Sequence, residues 1–150
     1  MSGRRESIQA TRKPRTCCEC SWPIAVGERY QRDWDGDART HVTCLACARV
    51  REEHLARLES EGYGEDGTAY GCLWDAIQET EQTGPEAELL RARVRYMGAH
   101  KWRERWIAMA EAAGVPEAAA GVYRQRAQES AEKYSTARDV LIAAGVSVPV

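Results

Sequence analysis

The chain has 150 residues, 43% hydrophobic and 29% charged, which suits one compact domain or a small module with an extension. Its 21 Lys and Arg nearly balance 23 Asp and Glu, giving a net charge of −2 and no overall basic character. No run of 18 apolar residues is present, so no membrane-spanning helix is expected.

The first segment, "MSGRRESIQATRKPR", carries Arg4, Arg5, Arg12, Lys13 and Arg15 against Glu6 alone. It reads as a basic flexible arm over residues 1–15, able to track phosphates in a nucleic-acid-binding reading. It has no apolar core of a secretory signal, so a reducing, cytoplasmic compartment is expected, where paired cysteines ligate metal more often than they form disulfides.

Next come Cys17 and Cys20 as C-x-x-C, then "GERYQRDWDGDARTHV", two extended runs flanking Asp35-Gly36. Asp-Gly between strand-forming runs is a hairpin signal because both turn positions must tolerate positive φ. Asp33, Asp35 and Asp37 alternate there, but a calcium loop would need a glycine and a terminal glutamate that do not fall correctly. A solvated hairpin tip is the expectation.

A second C-x-x-C, Cys44 and Cys47, leads into a helical pattern with Val50, Leu55 and Leu58, stopped at Gly62. The two pairs stand 23 residues apart. Thiolates at i and i+3 of a tight turn can converge on one ion, and four of them make a closed tetrahedral site for a single structural Zn²⁺. The ligands expected are Cys17, Cys20, Cys44 and Cys47, with His41 as an alternative ligand in place of Cys47. Cys18 is the spare thiol of the knuckle, Cys72 is expected to pack under a short helix, and His54 to be exposed.

Residues 63–84 read as a glycine-rich loop and a short helix, "CLWDAIQET", docking through Leu73, Trp74 and Ile77. From Pro85 two long helices follow, each closed by small residues, Gly and Pro, and joined at Gly114-Val115-Pro116, which forces an antiparallel hairpin over 85–145. Ala120, Tyr123, Ala127, Ser130, Tyr134, Ala137, Leu141 and Ala144 step by three and four on the second helix. Ala92, Arg95, Ala99, Trp102, Trp106, Met109 and Ala113 do so on the first, so both seams predict coiled-coil-like packing. Residues 146–150 form a tail.

The fold class expected is therefore α+β: a small zinc module over 16–62, treble-clef-like with knuckle, β-hairpin and helix, followed by the α-helical antiparallel hairpin. The pattern "CxxC…GERY…WDGD…CxxC" resembles small uncharacterised treble-clef zinc proteins of bacteriophages and actinobacteria over residues 15–80. The spacing through His41 also resembles the first half of a LIM domain, whose second half is missing. The phage resemblance implies an accessory protein stabilised by zinc, acting in the cytoplasm of a bacterial host cell, with no established chemistry.

Closed all-thiolate coordination and the lack of hydrolase, deaminase or phosphate-loop motifs argue for a binder, not an enzyme. The partner expected is a host protein or protein complex, such as a defence nuclease or polymerase, and the alternative is nucleic acid. Arg91, Arg95, Trp102 and Trp106 fall within about 60° on a helix. With Trp22 and Trp34 they are the candidate contact residues, although regular seam spacing also places Trp102 and Trp106 in the hairpin core.

Overall fold

The computed structural model describes residues 5–34, 39–62 and 69–149. It is a small α+β protein that separates into two compact units, Met1–Arg91 and Ala92–Val150. Among the described residues no helix is long and apolar enough to cross a membrane.

In the first unit, β1 (Arg5–Ala10), β4 (Arg29–Trp34) and β5 (Thr40–Cys44) form an antiparallel sheet in the order β1-β4-β5. Residues 5–10 are thus a strand and not the loose arm expected from their charge. They pair with β4 from Arg5↔Trp34 to Ala10↔Arg29. The physical reason is the edge of β4, whose backbone donors and acceptors would otherwise face solvent without partners. Thr11 prolongs the contact, donating its N–H to Glu28 O at 3.0 Å and accepting from Gly27 N at 2.8 Å.

The other side of β4 pairs with β5 in the register Tyr30↔Cys44 to Trp34↔Thr40, so the expected hairpin strands are present. The Asp35-Gly36 turn lies outside the described residues. Asp33, expected at a solvated tip, is instead fully buried in β4. It accepts hydrogen bonds from Gln31 Nε2 and from the Tyr70 hydroxyl at 2.9 Å, which satisfy the carboxylate away from water.

A two-residue ribbon, β2 (Arg15–Thr16) with β3 (Pro23–Ile24), lies between β1 and β4 in the chain and closes around the first cysteine pair. Within the turn Ser21 N donates to Cys17 O and Cys17 N to Trp22 O, both at 3.0 Å, with Ser21 in the left-handed region at φ 60°.

β5 runs directly into α1 (Leu45–Ser60). The buried face of α1 is Cys47, Val50, Arg51 and His54, while Leu55 and Leu58 are only half-buried. His54, expected on the solvent side, is 1% exposed because its Nδ1 finds Gln82 Oε1 at 3.0 Å. α2 (Leu73–Glu79) docks through Leu73 and Ile77, both fully buried. Its N-cap residue, Cys72, is exposed and does not pack under the helix. A cap position lies outside the helical stripe that faces the core.

α3 (Pro85–Glu111) opens with Pro85, Glu86 and Glu88, residues suited to the first turn, and the boundary between the two units falls within it. In the second unit the remainder of α3 pairs with α4 (Glu117–Ala143). Tyr96 stacks on Tyr134 at 4.5 Å between ring centroids and Trp106 on Tyr123 at 5.8 Å, an order of contacts that only antiparallel neighbours allow. Gly114 and Gly145, at φ 81° and 78°, follow the two helices as their left-handed stops.

The α4 seam lies where its periodicity puts it, with Ala120, Ala127, Ala137 and Leu141 buried. Only its last member, Ala144, is exposed, at the C-cap. The α3 seam is displaced. Arg95 and Trp102 are exposed, and Tyr96 occupies the buried position beside Ala92 and Ala99. Burying the Arg95 guanidinium would need a charge partner, whereas Tyr96 brings a hydroxyl that bonds the Tyr134 hydroxyl at 2.8 Å and Pro149 O at 2.5 Å.

Candidate metal centre

The two Cys-x-x-Cys pairs converge. The Sγ atoms of Cys17, Cys20, Cys44 and Cys47 all lie within 4.8 Å of one another, and all four residues are buried. Cys17 and Cys20 come from the turn between β2 and β3. Cys44 ends β5 and caps α1, its Sγ accepting from Cys47 N at 3.5 Å, and Cys47 sits in the first turn of α1. Cys18 N donates to Val42 O at 2.9 Å and ties the first turn to β5.

The sulfur spacing fits a metal and excludes a disulfide. Cys20 Sγ and Cys44 Sγ are 3.8 Å apart, and all six cysteines are free thiols. A disulfide would bring two sulfurs to about 2.0 Å. A tetrahedron with metal–sulfur bonds of about 2.3 Å places its sulfurs about 3.8 Å from one another. The first turn of α1 carries no acidic side chain, which leaves its N–H groups and dipole free to offset thiolate charge.

Four thiols packed this tightly cannot ionise independently. Side-chain hydrogen bonds from Cys20, Cys44 and Cys47 draw the Cys17 thiol well below its ordinary value. Contacts with Cys17, Cys20 and Cys44, together with burial, push Cys47 well above it. A cation among the sulfurs removes this conflict by stabilising every thiolate at once.

The neighbouring residues take other roles. His41 is not in the cluster: its ring stacks on Tyr70 at 4.2 Å and nearly parallel, 9° between planes. Cys18 is exposed as a residue, but its Sγ lies 3.7 Å from Thr43 Oγ1, and partial desolvation of the sulfur there pushes its thiol up to about 11.

Sequence reasoning missed a buried polar cluster beside the sulfurs. Glu19, inside the first Cys-x-x-Cys, forms an ion pair with Arg51 at 2.7 Å, with 0% and 3% of the two side chains exposed. The only sequence signal was a charged residue in each of two cysteine-bearing segments, which is too common to single out a pair 32 positions apart.

No protein-family model, curated protein or solved structure matches this chain.

The candidate contact residues divide. Arg91 is buried and spent internally, bonding Gln78 Oε1 at 2.5 Å, Glu88 Oε1 at 2.7 Å and Ile77 O at 3.2 Å, so it does not join Arg95 on a contact stripe. Trp22 is half-buried, and Trp34 is 37% exposed. Trp102 is 48% exposed, with the Arg105 guanidinium 5.1 Å from its ring centroid, and therefore does not fill the hairpin core. Trp106 is half-buried between Trp102 and Tyr123. Of the basic candidates, Arg12 and Lys13 are exposed and Arg15 is half-buried, while Arg4 and the Arg5 side chain lie outside the described residues.

Proposed function

We propose that this chain is a non-enzymatic binding protein stapled by one structural Zn²⁺, held by Cys17, Cys20, Cys44 and Cys47 in a treble-clef-like module. The single observation that carries the reading is the set of four buried sulfurs within 4.8 Å of one another. Four thiolates leave a tetrahedral ion without a position for water or substrate, which suits a structural role and not a hydrolytic one. Thiolates are soft ligands that select zinc over calcium or magnesium.

Binding then falls to the surface. Trp102 and Arg105 supply an exposed aromatic with a cation over it, the residue types that dominate protein interfaces. The partner class we favour is a protein, and the phage-type resemblance of residues 15–80 suggests a component of a bacterial host's machinery. Nucleic acid is the second reading, favoured by exposed Arg12 and Lys13. Against it, α1 exposes Glu52, Glu53 and Glu59, which phosphates would repel.

Affinity capture from bacterial lysate with wild type and Trp102→Ala, beside a duplex DNA shift at low salt, tests the reading. A protein retained by wild type and lost by the variant supports it. A DNA shift that vanishes steeply as salt rises, with no Trp102-dependent protein, replaces it with the nucleic-acid reading.

A further inference from the structure

Glu19 sits between Cys18 and Cys20, yet its carboxylate is turned inward and accounts for both of its oxygens. Oε2 accepts from Arg51 Nη2 at 2.7 Å, and Oε1 accepts from the backbone N–H of Gly71. Arg51 lies one turn beyond Cys47 on α1. The same Nη2 donates to Ala69 O at 3.2 Å, and the guanidinium lies 4.4 Å from the Tyr70 ring centroid. Tyr70 stacks on His41 of β5 and donates its hydroxyl to the buried Asp33 of β4. Residues 69–71 are therefore fastened to both cysteine-bearing ends of the site and to the sheet between them.

We propose that Glu19 and Arg51 are positioning residues that couple metal occupancy to the docking of residues 69–71, an inference that rests on the metal reading above. A buried ion pair is stable only when its remaining hydrogen-bonding capacity is filled. Here the backbone of Ala69 and Gly71 fills part of it, so the segment completes the pair. The two charges stand on the two elements that the metal joins: Glu19 on the turn of Cys17 and Cys20, Arg51 on the helix of Cys47. Loss of the metal frees those elements from each other, parts the charges, and takes from the segment an acceptor and a donor together. By linkage, the docked segment in turn tightens the metal. Outer-sphere partners of this kind typically change metal affinity about 10–100-fold.

The test uses the full chain with Zn²⁺ as the only added ligand, reading affinity by chelator competition and hydrogen exchange at 69–72. In wild type the Gly71 amide is protected with zinc and exchanges rapidly after chelation. Glu19→Gln still binds one zinc, about 10–100-fold more weakly, and Gly71 exchanges faster even when zinc is saturating. Because Glu19→Gln removes the carboxylate that faces Arg51 and risks unfolding, Glu19→Leu with Arg51→Met, which removes both charges, is measured in parallel and gives the same result. Variants that hold zinc as tightly as wild type and keep Gly71 protected overturn the coupling, as does wild-type protection that survives chelation. A wild type that binds no zinc overturns the metal reading itself, and the coupling with it.

Discussion

Cys20 and Cys44, 24 positions apart in the chain, bring their sulfurs to 3.8 Å without bonding to each other. One sulfur comes from a two-stranded ribbon and the other from the junction of a strand and a helix. With Cys17 and Cys47 alongside, that separation suits four sulfurs that share one ion.

The thiols should therefore divide by accessibility. Cys18 and Cys72 are exposed and the other four are buried. Prolonged alkylation of native, zinc-loaded protein followed by intact mass is expected to add two groups, Cys18 more slowly than Cys72 because its thiol is pushed up to about 11, and six after chelation in denaturant. Rapid addition of four or more to the native form would mean that the buried sulfurs are not metal-bound.

Metal removal should act on one unit. Structural zinc supplies on the order of 10–16 kcal/mol in small zinc peptides, so chelation, or Cys47→Ser, is expected to unfold the region around the sulfurs. The second unit has its own buried residues, including Ala127, Ala137 and Leu141, and most far-UV helical signal should persist. Near-UV circular dichroism unchanged by chelation would contradict this.

His54 gives a prediction independent of metal. Its ring is buried against Gln82. Gln82→Ala removes that partner, and leaving a buried polar group wanting costs about 1–3 kcal/mol. Urea unfolding of the zinc-loaded protein should show a midpoint lowered accordingly.

These outcomes also mark what could be read from the chain. Two Cys-x-x-Cys pairs are a local signal of high specificity, so the four sulfurs were legible. Small residues followed by Gly and Pro made both long helices legible in the same way. The α3 face was misjudged by a single position: Arg95 and Tyr96 differ by about 100° around a helix, and a 3.5-residue stripe does not say which of two neighbours has a partner waiting inside. The Glu19–Arg51 pair was illegible because it depends on how the knuckle and α1 meet, and the burial of Asp33 because it depends on Tyr70 returning from a distant segment. The pairing of β1 was hidden by the basic residues that flank it, since charge patterning says nothing about an open strand edge.

Tyr96 provides a pH test. Burial, then its hydrogen bond with Tyr134, pushes its hydroxyl up to about 12 from an ordinary value of 10. The folded state thus keeps a proton that the unfolded state releases. The stability this contributes is fully present below pH 10 and is lost as pH rises towards 12. Tyr96→Phe should flatten stability across that alkaline range, and spectrophotometric titration of the wild type should show one tyrosine ionising late. At neutral pH the same variant should cost about 1 kcal/mol for the lost hydrogen bonds.

Trp102 separates binding from folding. With its ring 48% exposed, Trp102→Ala should change stability by no more than about 0.5 kcal/mol, while an interface aromatic typically costs 2 kcal/mol or more in binding, about thirtyfold. Thermal melting and partner affinity measured on the same preparation distinguish the two effects.

Elemental analysis of freshly purified protein reaches the central claim most directly. Four thiolates closed around one ion require one zinc per chain, reduced to none when Cys17, Cys20, Cys44 and Cys47 are replaced by serine. Wild-type protein that folds with no stoichiometric metal would contradict the account.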